Sequence, residues 1–172
     1  MAQGVSKRSK HASSAVQAVG VIGDPTNIPW LIQQMANPML TRVAGESFEV
    51  MTGADISNDK LEGKKPQGFE SGPNEDPGDE NVEMDQDDNL PWPDPQLIEK
   101  WWATHRVEFT NGTRYLLGKP MAIDSLNQVL RTGKQRHRTV AALELAIRQL
   151  GTALFNTSAP GFRQQALLGL KG

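Results

Sequence analysis

Leu90-Pro91-Trp92-Pro93-Asp94-Pro95-Gln96-Leu97-Ile98 ends one kind of sequence and begins another. Asp94 suits an N-cap, because its carboxylate can accept hydrogen bonds from the first backbone N–H groups of a helix. Pro95 suits the first helical position, where its missing N–H costs nothing. Upstream, residues 55–94 hold 13 of the chain's 20 acidic residues among many Gly and Pro. Such a stretch cannot bury enough apolar surface to fold alone. It divides the 172-residue chain into two amphipathic helical pieces joined by an acidic strap.

Charge follows the same division. The chain carries a net charge of -2 overall. Outside residues 55–94 there are 15 basic and 7 acidic side chains, a surplus of 8 positive charges. A basic surface beside an acidic strap can pair with it, or it can meet an acidic partner or nucleic acid. The expectation is internal pairing, with the strap draped over the basic C-terminal helices and anchored by Phe69, Val82, Met84, Leu90 and Trp92.

Before the strap, residues 1–12 are polar and expected to be disordered. Ala15, Val16, Val19 and Ile22 mark a helix from Ser13 that stops at Gly23-Asp24-Pro25. Thr26 or Asn27 can cap a second helix carrying Trp30, Leu31 and Met35. A third, from about Pro38 to Met51, places Leu40, Val43, Ala44, Phe48 and Met51 on one face, with Gly53 as its C-cap. Three short helices with tight turns read as an α-solenoid unit over residues 13–53.

After the strap, residues 94–172 read as a C-terminal helical region. Leu97, Ile98, Trp101 and Trp102 form the stripe of its first helix, and Arg114 to Pro120 is a loop or one short extended piece. A helix from Ile123 to Arg131 turns Leu126, Val129 and Leu130 inward. The last long helix, Lys134 to Leu150, is expected to bury Val140, Leu143, Ile147 and Leu150, with Ala141, Ala142, Leu145 and Ala146 broadening that face. A weak helix from Arg163 to Leu170 closes the chain. The fold class is all-α.

Several kinds of chemistry lack their residues. There is no cysteine, which excludes disulfides, thiolate zinc sites and cysteine nucleophiles. His11, His105 and His137 lie far apart, without a metal-ligand spacing. Ser47 and Ser125 have no glycine elbow, and neither a phosphate loop nor a dinucleotide fingerprint is present. An EF-hand loop counted from Asp85 would need Gly at its sixth position and Glu at its twelfth, where Leu90 and Gln96 stand. Neither a metal nor another cofactor is expected. No stretch reaches the roughly 18 apolar residues of a membrane helix, and the apolar run after the basic N-terminus is broken by Gln17, Gly20 and Gly23. The expected location is the cytoplasm.

Two groups of residues stand out as candidate partner-binding positions. Trp92, Trp101 and Trp102 are of the type enriched at binding hot spots. Adjacent tryptophans on a helix point about 100° apart, so Trp101 and Trp102 are expected to divide between the helices and the strap near Trp92. Arg131, Lys134, Arg136 and Arg138 form a basic cluster, whose alternatives are strap pairing or phosphate contacts.

The segment Ala15 to Asp24 followed by Ile28-Pro29-Trp30-Leu31-Ile32 resembles a HEAT-type repeat. Further motifs follow in order: Ala44-Gly-Glu-Ser-Phe-Glu-Val-Met-Thr-Gly53, Phe69-Glu-Ser-Gly-Pro-Asn-Glu-Asp-Pro77, Leu90 to Pro95, Trp101-Trp102, Arg114-Tyr-Leu-Leu-Gly-Lys-Pro120 and Leu130-Arg-Thr-Gly-Lys-Gln-Arg136. Over residues 13–165 the chain resembles the C-terminal part of a bacterial HEAT-repeat family whose members are typically encoded beside type VI secretion genes. That family has no assigned activity and its members are usually more than twice this length. The resemblance implies a non-enzymatic scaffold, adaptor or effector-loading accessory with a protein partner. The alternatives are a nucleic-acid-binding module using residues 131–138 and a nonfunctional remnant of a longer gene.

Overall fold

The computed structural model describes residues 2–69, 72 and 84–169. Among them the chain forms seven helices and one two-stranded hairpin, so the fold is mainly α-helical. The helices are α1 (Ala2–Ile22), α2 (Ile28–Gln34), α3 (Thr41–Thr52), α4 (Pro95–His105), α5 (Ile123–Thr132), α6 (Gln135–Arg148) and α7 (Gly161–Leu167). The hairpin pairs β1 (Tyr115–Leu116) with β2 (Lys119–Pro120). The region from Arg114 to Pro120 is therefore two paired strands rather than one extended piece.

α1 begins at Ala2, so it runs through residues expected to lie outside it. Once Val16 and its neighbours fix the C-terminal turns, each added residue gains a hydrogen bond without a new nucleation cost, and helix formers such as Ala, Lys and Arg let it extend. At its other end Gly23 takes φ +72° and ends the helix. The next turn is capped by Asp24, whose carboxylate accepts from the Thr26 N–H at 3.0 Å, whereas Asn27 makes no side-chain cap.

α3 is the centre of the molecule, with ten of its residues buried. A helix enclosed on all sides must satisfy its own polar groups, and this one does. Thr41 donates to the carbonyls of Met35 and Asn37, both at 2.8 Å, and Thr52 to that of Phe48 at 2.7 Å. Ser47 donates to the Val16 carbonyl at 3.1 Å on α1. This last bond marks a close crossing, because a Cβ on Gly20 would lie 2.8 Å from the Ser47 Cβ.

Two apolar cores share α3. The first gathers Val16, Ile28, Leu31, Met35, Leu40, Val43, Phe48 and Met51 with Ile56 and Leu61, and also takes Ile98 from α4 and Tyr115 from β1. The second gathers Leu126, Val129 and Leu130 of α5 with Ala141, Ala142 and Leu145 of α6, and takes Val50 from α3 and Leu116 from β1. Alternation along a strand sends Tyr115 into one core and Leu116 into the other. The halves on either side of the strap are thus interleaved.

The hairpin turn completes the join. Leu117 at φ +53° and Gly118 at φ +72° both take the left-handed conformation that a two-residue hairpin of matching twist requires. That conformation is costly for leucine. It is held because the turn sits on the C-terminal end of α3, where Leu117 and Gly118 donate their N–H groups to the carbonyls of Val50 at 2.7 Å and Met51 at 3.1 Å. The Tyr115 N–H donates to the Gly23 carbonyl at 2.8 Å, which ties the end of α1 as well.

The strap is a closed excursion. Its two ends run antiparallel, with the Gly63 N–H on the Trp92 carbonyl at 2.6 Å and the Asp94 N–H on the Leu61 carbonyl at 2.8 Å. Asp94 then caps α4 as expected, accepting from Gln96 at 2.8 Å and Leu97 at 3.2 Å.

Candidate functional site

The strap pairs with the protein at a position the sequence did not single out. Arg42 on α3 donates to the Asp87 carbonyl at 2.8 Å and to the Asp85 carboxylate at 2.6 Å. Its guanidinium carbon lies 4.7 Å from the Trp92 ring centre and 5.4 Å from that of Phe69, and those rings meet edge to face at 4.9 Å. The expected pairing with the C-terminal basic cluster is met only at longer range, where Lys134 acts on Asp55 and Arg136 on Asp87, whereas among the described residues the strap's close salt bridge goes to α3. Arg42 was overlooked because one arginine in an apolar helix carries no pattern. Of the expected anchors, Phe69 and Trp92 hold, Leu90 is half-buried, Met84 is exposed, and Val82 lies outside the described residues.

The basic cluster divides. Arg136 pairs with Glu46 of α3. Arg138 is part of the fold: it donates to the Leu130 carbonyl at 2.8 Å at the end of α5 and to the Gln164 side chain of α7 at 2.5 Å. Arg131 and Lys134 are exposed. Burial, together with Lys134 and Arg136, holds the His137 imidazole below its ordinary range, against Glu46. Asp87 is pushed above the ordinary aspartate range by burial, and Arg42 opposes that shift. A cleft of about 370 Å³ lies here, between Gly20 and Val21 of α1, Ser47 of α3, Val140 of α6 and the strap at Asp87.

The tryptophans are not brought together. Trp101 meets Phe48 edge to face at 5.4 Å and stacks on His105 at 4.0 Å, while the His105 Nδ1–H donates to the Trp101 carbonyl at 2.8 Å. Trp102 turns away from the strap and packs at 5.3 Å on Phe109, which packs in turn on Tyr115 at 4.9 Å. The expectation that one of the pair would sit against the strap near Trp92 is corrected. Both rings pack against the first core. Trp102 instead forms a wall of an open groove of about 570 Å³, facing Pro25 and Pro29.

α6 is rolled differently from the expected orientation. Arg138, Ala141, Ala142 and Leu145 face inward at spacings of 3, 1 and 3, and Leu143 and Ile147 are 44% and 58% exposed; Leu150, expected on this helix, lies past its end at Arg148 and is 93% exposed. The run from Val140 to Ile147 is apolar on most sides, so its pattern does not select a face. Glu144 does. It is buried, accepts from Arg114 at 3.0 Å and from Arg148 at 2.6 Å, and so fixes the roll. Small alanines then allow the close approach to α5, while the large aliphatic residues point outward. Leu154, Phe162 and Leu167 add to the exposed apolar surface of this C-terminal region.

Among the described residues there is no group of three or more His, Cys, Asp or Glu placed to hold a metal ion, and no helix is long and apolar enough to cross a membrane. No protein-family model matches this chain, and no curated protein or solved structure matches it either.

Proposed function

We propose that this chain is a non-enzymatic protein-interaction module and, from the ordered motifs between Ala15 and Arg136, a cytoplasmic accessory of type VI secretion that acts as scaffold, adaptor or effector loader. In this reading the α1–α3 unit is a HEAT-like repeat, and the partner is a secretion component or an effector. The observation that carries an interaction role is the outward pair Leu143 and Ile147 on α6, with Leu150 exposed just past its end. Large aliphatic residues at helical spacing on a surface have a high solvation cost unless another protein covers them. Arg136 is paired with Glu46 and the Arg138 guanidinium is engaged by the Leu130 carbonyl and Gln164, so two of the four cationic heads at 131–138 already have partners within the fold.

The test is a pulldown with the tagged full chain from a strain actively secreting through a type VI system, in parallel with a Leu143→Glu/Ile147→Glu variant. Recovery of a secretion component or effector by the wild type and its loss in the variant is the expected result. Recovery of neither by the wild type overturns the secretion assignment, and equal recovery by both overturns the assignment of the α6 face. Both replaced side chains are substantially exposed, so the variant should keep its helical circular dichroism.

A further inference from the structure

The groove beside Trp102 belongs to the first core, away from the α6 stripe, which lies on the second. Pro25 and Pro29, from the turn before α2 and its first helical turn, form one wall. Trp102, Arg106, Val107 and Phe109, from the end of α4 and the turn after it, form the other. Its volume of about 570 Å³ falls within the range of small-ligand and side-chain pockets.

Both walls are fixed before anything binds. The first is held by its two prolines and by Asp24, which accepts from the N–H and the hydroxyl of Thr26 at 3.0 and 2.7 Å. The second is held by the Phe109 contacts to Trp102 and Tyr115, and by the Thr110 N–H, which donates to the Tyr115 hydroxyl at 2.8 Å. A preformed site loses little conformational freedom on binding. Within this frame Val107 is 85% exposed, an aliphatic side chain presented at the rim.

The charge on the lining is one-sided. Arg106 is its single ionised residue, and Glu108 on the same turn does not line it. Five of the nine lining residues are apolar, Thr26, Thr110 and Asn111 add neutral polar groups, and Arg106 supplies a guanidinium. Such a lining suits an apolar side chain with a carboxylate beside it, and Trp and Arg are among the residue types enriched at binding hot spots.

We propose that this groove holds a segment of a partner protein that inserts an aliphatic or aromatic side chain between Trp102 and the two prolines and places an Asp or Glu carboxylate on Arg106.

The test begins with selection of a random heptapeptide display library on the full-length protein. The selected peptides should carry an aliphatic or aromatic residue next to Asp or Glu. Enrichment of basic peptides, or no enrichment, overturns the proposal. The best peptide is then synthesised and titrated against wild type and Arg106→Glu by isothermal calorimetry. Arg106 is exposed, so that variant retains its fold. At least tenfold weaker binding to Arg106→Glu is expected, with recovery when the peptide's acid is replaced by Lys. Unchanged affinity overturns the role of Arg106. Perturbation of the Trp102 indole resonance by the peptide locates it in the groove, and perturbation confined to α6 residues overturns the location. Sedimentation of the free protein checks the remaining occupant: self-association abolished by Arg106→Glu would assign the groove to a second copy of this chain instead.

Discussion

The Arg42 guanidinium lies 2.6 Å from the Asp85 carboxylate, and both side chains are nearly closed to solvent, at 8% and 12% exposure. Forty-three residues separate them in sequence. The pair fastens the returning limb of an excursion that is closed at its base.

Replacing Arg42 by Ala leaves the Asp85 carboxylate without this cation and strips the cation from between Trp92 and Phe69. Losing one partner of a buried pair costs about 3 kcal/mol. The urea midpoint should fall accordingly, and limited proteolysis should cut first near residues 84–90. A variant that keeps the wild-type midpoint and cleavage pattern argues against the clasp.

Gly20→Ala tests the α1–α3 crossing. A methyl group there meets the Ser47 Cβ at 2.8 Å and the Ser47 Cα at 2.9 Å. Overpacking of that kind costs about 1–3 kcal/mol, whereas alanine gains about 1 kcal/mol of helix propensity. Backbone contact cannot be relieved by a rotamer change, so net destabilisation is expected. A raised melting temperature would show that the crossing is looser than it is here.

Glu144→Gln weakens the bonds from Arg114 and Arg148 that fix α6. Arg114 also donates to the Ile22 carbonyl at 2.6 Å, so the loss reaches the end of α1. Stability should fall by about 1–2 kcal/mol, because Glu144 is buried but its arginine partners are more than a third exposed and screened by solvent. Amide exchange should accelerate at Tyr115 and Leu116 before it does in α2. Uniform acceleration across the chain would mean that Glu144 has no special hold on the hairpin.

His137 predicts a pH dependence. Burial is the main reason that its folded form binds a proton less readily than the unfolded chain. Its contribution is complete above the ordinary value of 6.5 and is lost as pH falls through the lower folded value. Lys134 and Arg136 add to this effect and Glu46 opposes it. Between pH 7.5 and 5.5 the wild type should lose more urea resistance than His137→Gln. Parallel losses in the two proteins would remove His137 as the cause.

Much of the chain was legible in the sequence where the signal is short-range. Gly53 ends α3 in the left-handed conformation, Asp94 caps α4 and Pro95 opens it, the inward residues of α5 are those whose spacing marked them, and the marked face of α3 is buried together with Arg42, Ser47 and Val50, which the spacing did not mark. The turn-forming pair Leu117-Gly118 was missed because leucine seldom takes positive φ, and its reason for doing so is the end of another helix. The groove beside Trp102 had half a signal in the paired tryptophans, but its prolines come from some 70 residues earlier.

The sequence by itself determined that the protein is mainly helical, where most helices start and stop, and that its acidic residues concentrate between 55 and 94. Caps, turn residues and helical spacing act within about four residues, so the chain carries them locally. Only the tertiary structure decided that Asp85 answers Arg42, that Trp101 and Trp102 stay with the first core, and that α6 shows Leu143 and Ile147 to solvent. Each was chosen by a contact from far along the chain: Arg42 for the strap, Phe48 and Phe109 for the tryptophans, and Arg114 for the roll of α6. Where several faces of an element are equally apolar, burial energy does not separate them, and one long-range charge contact does.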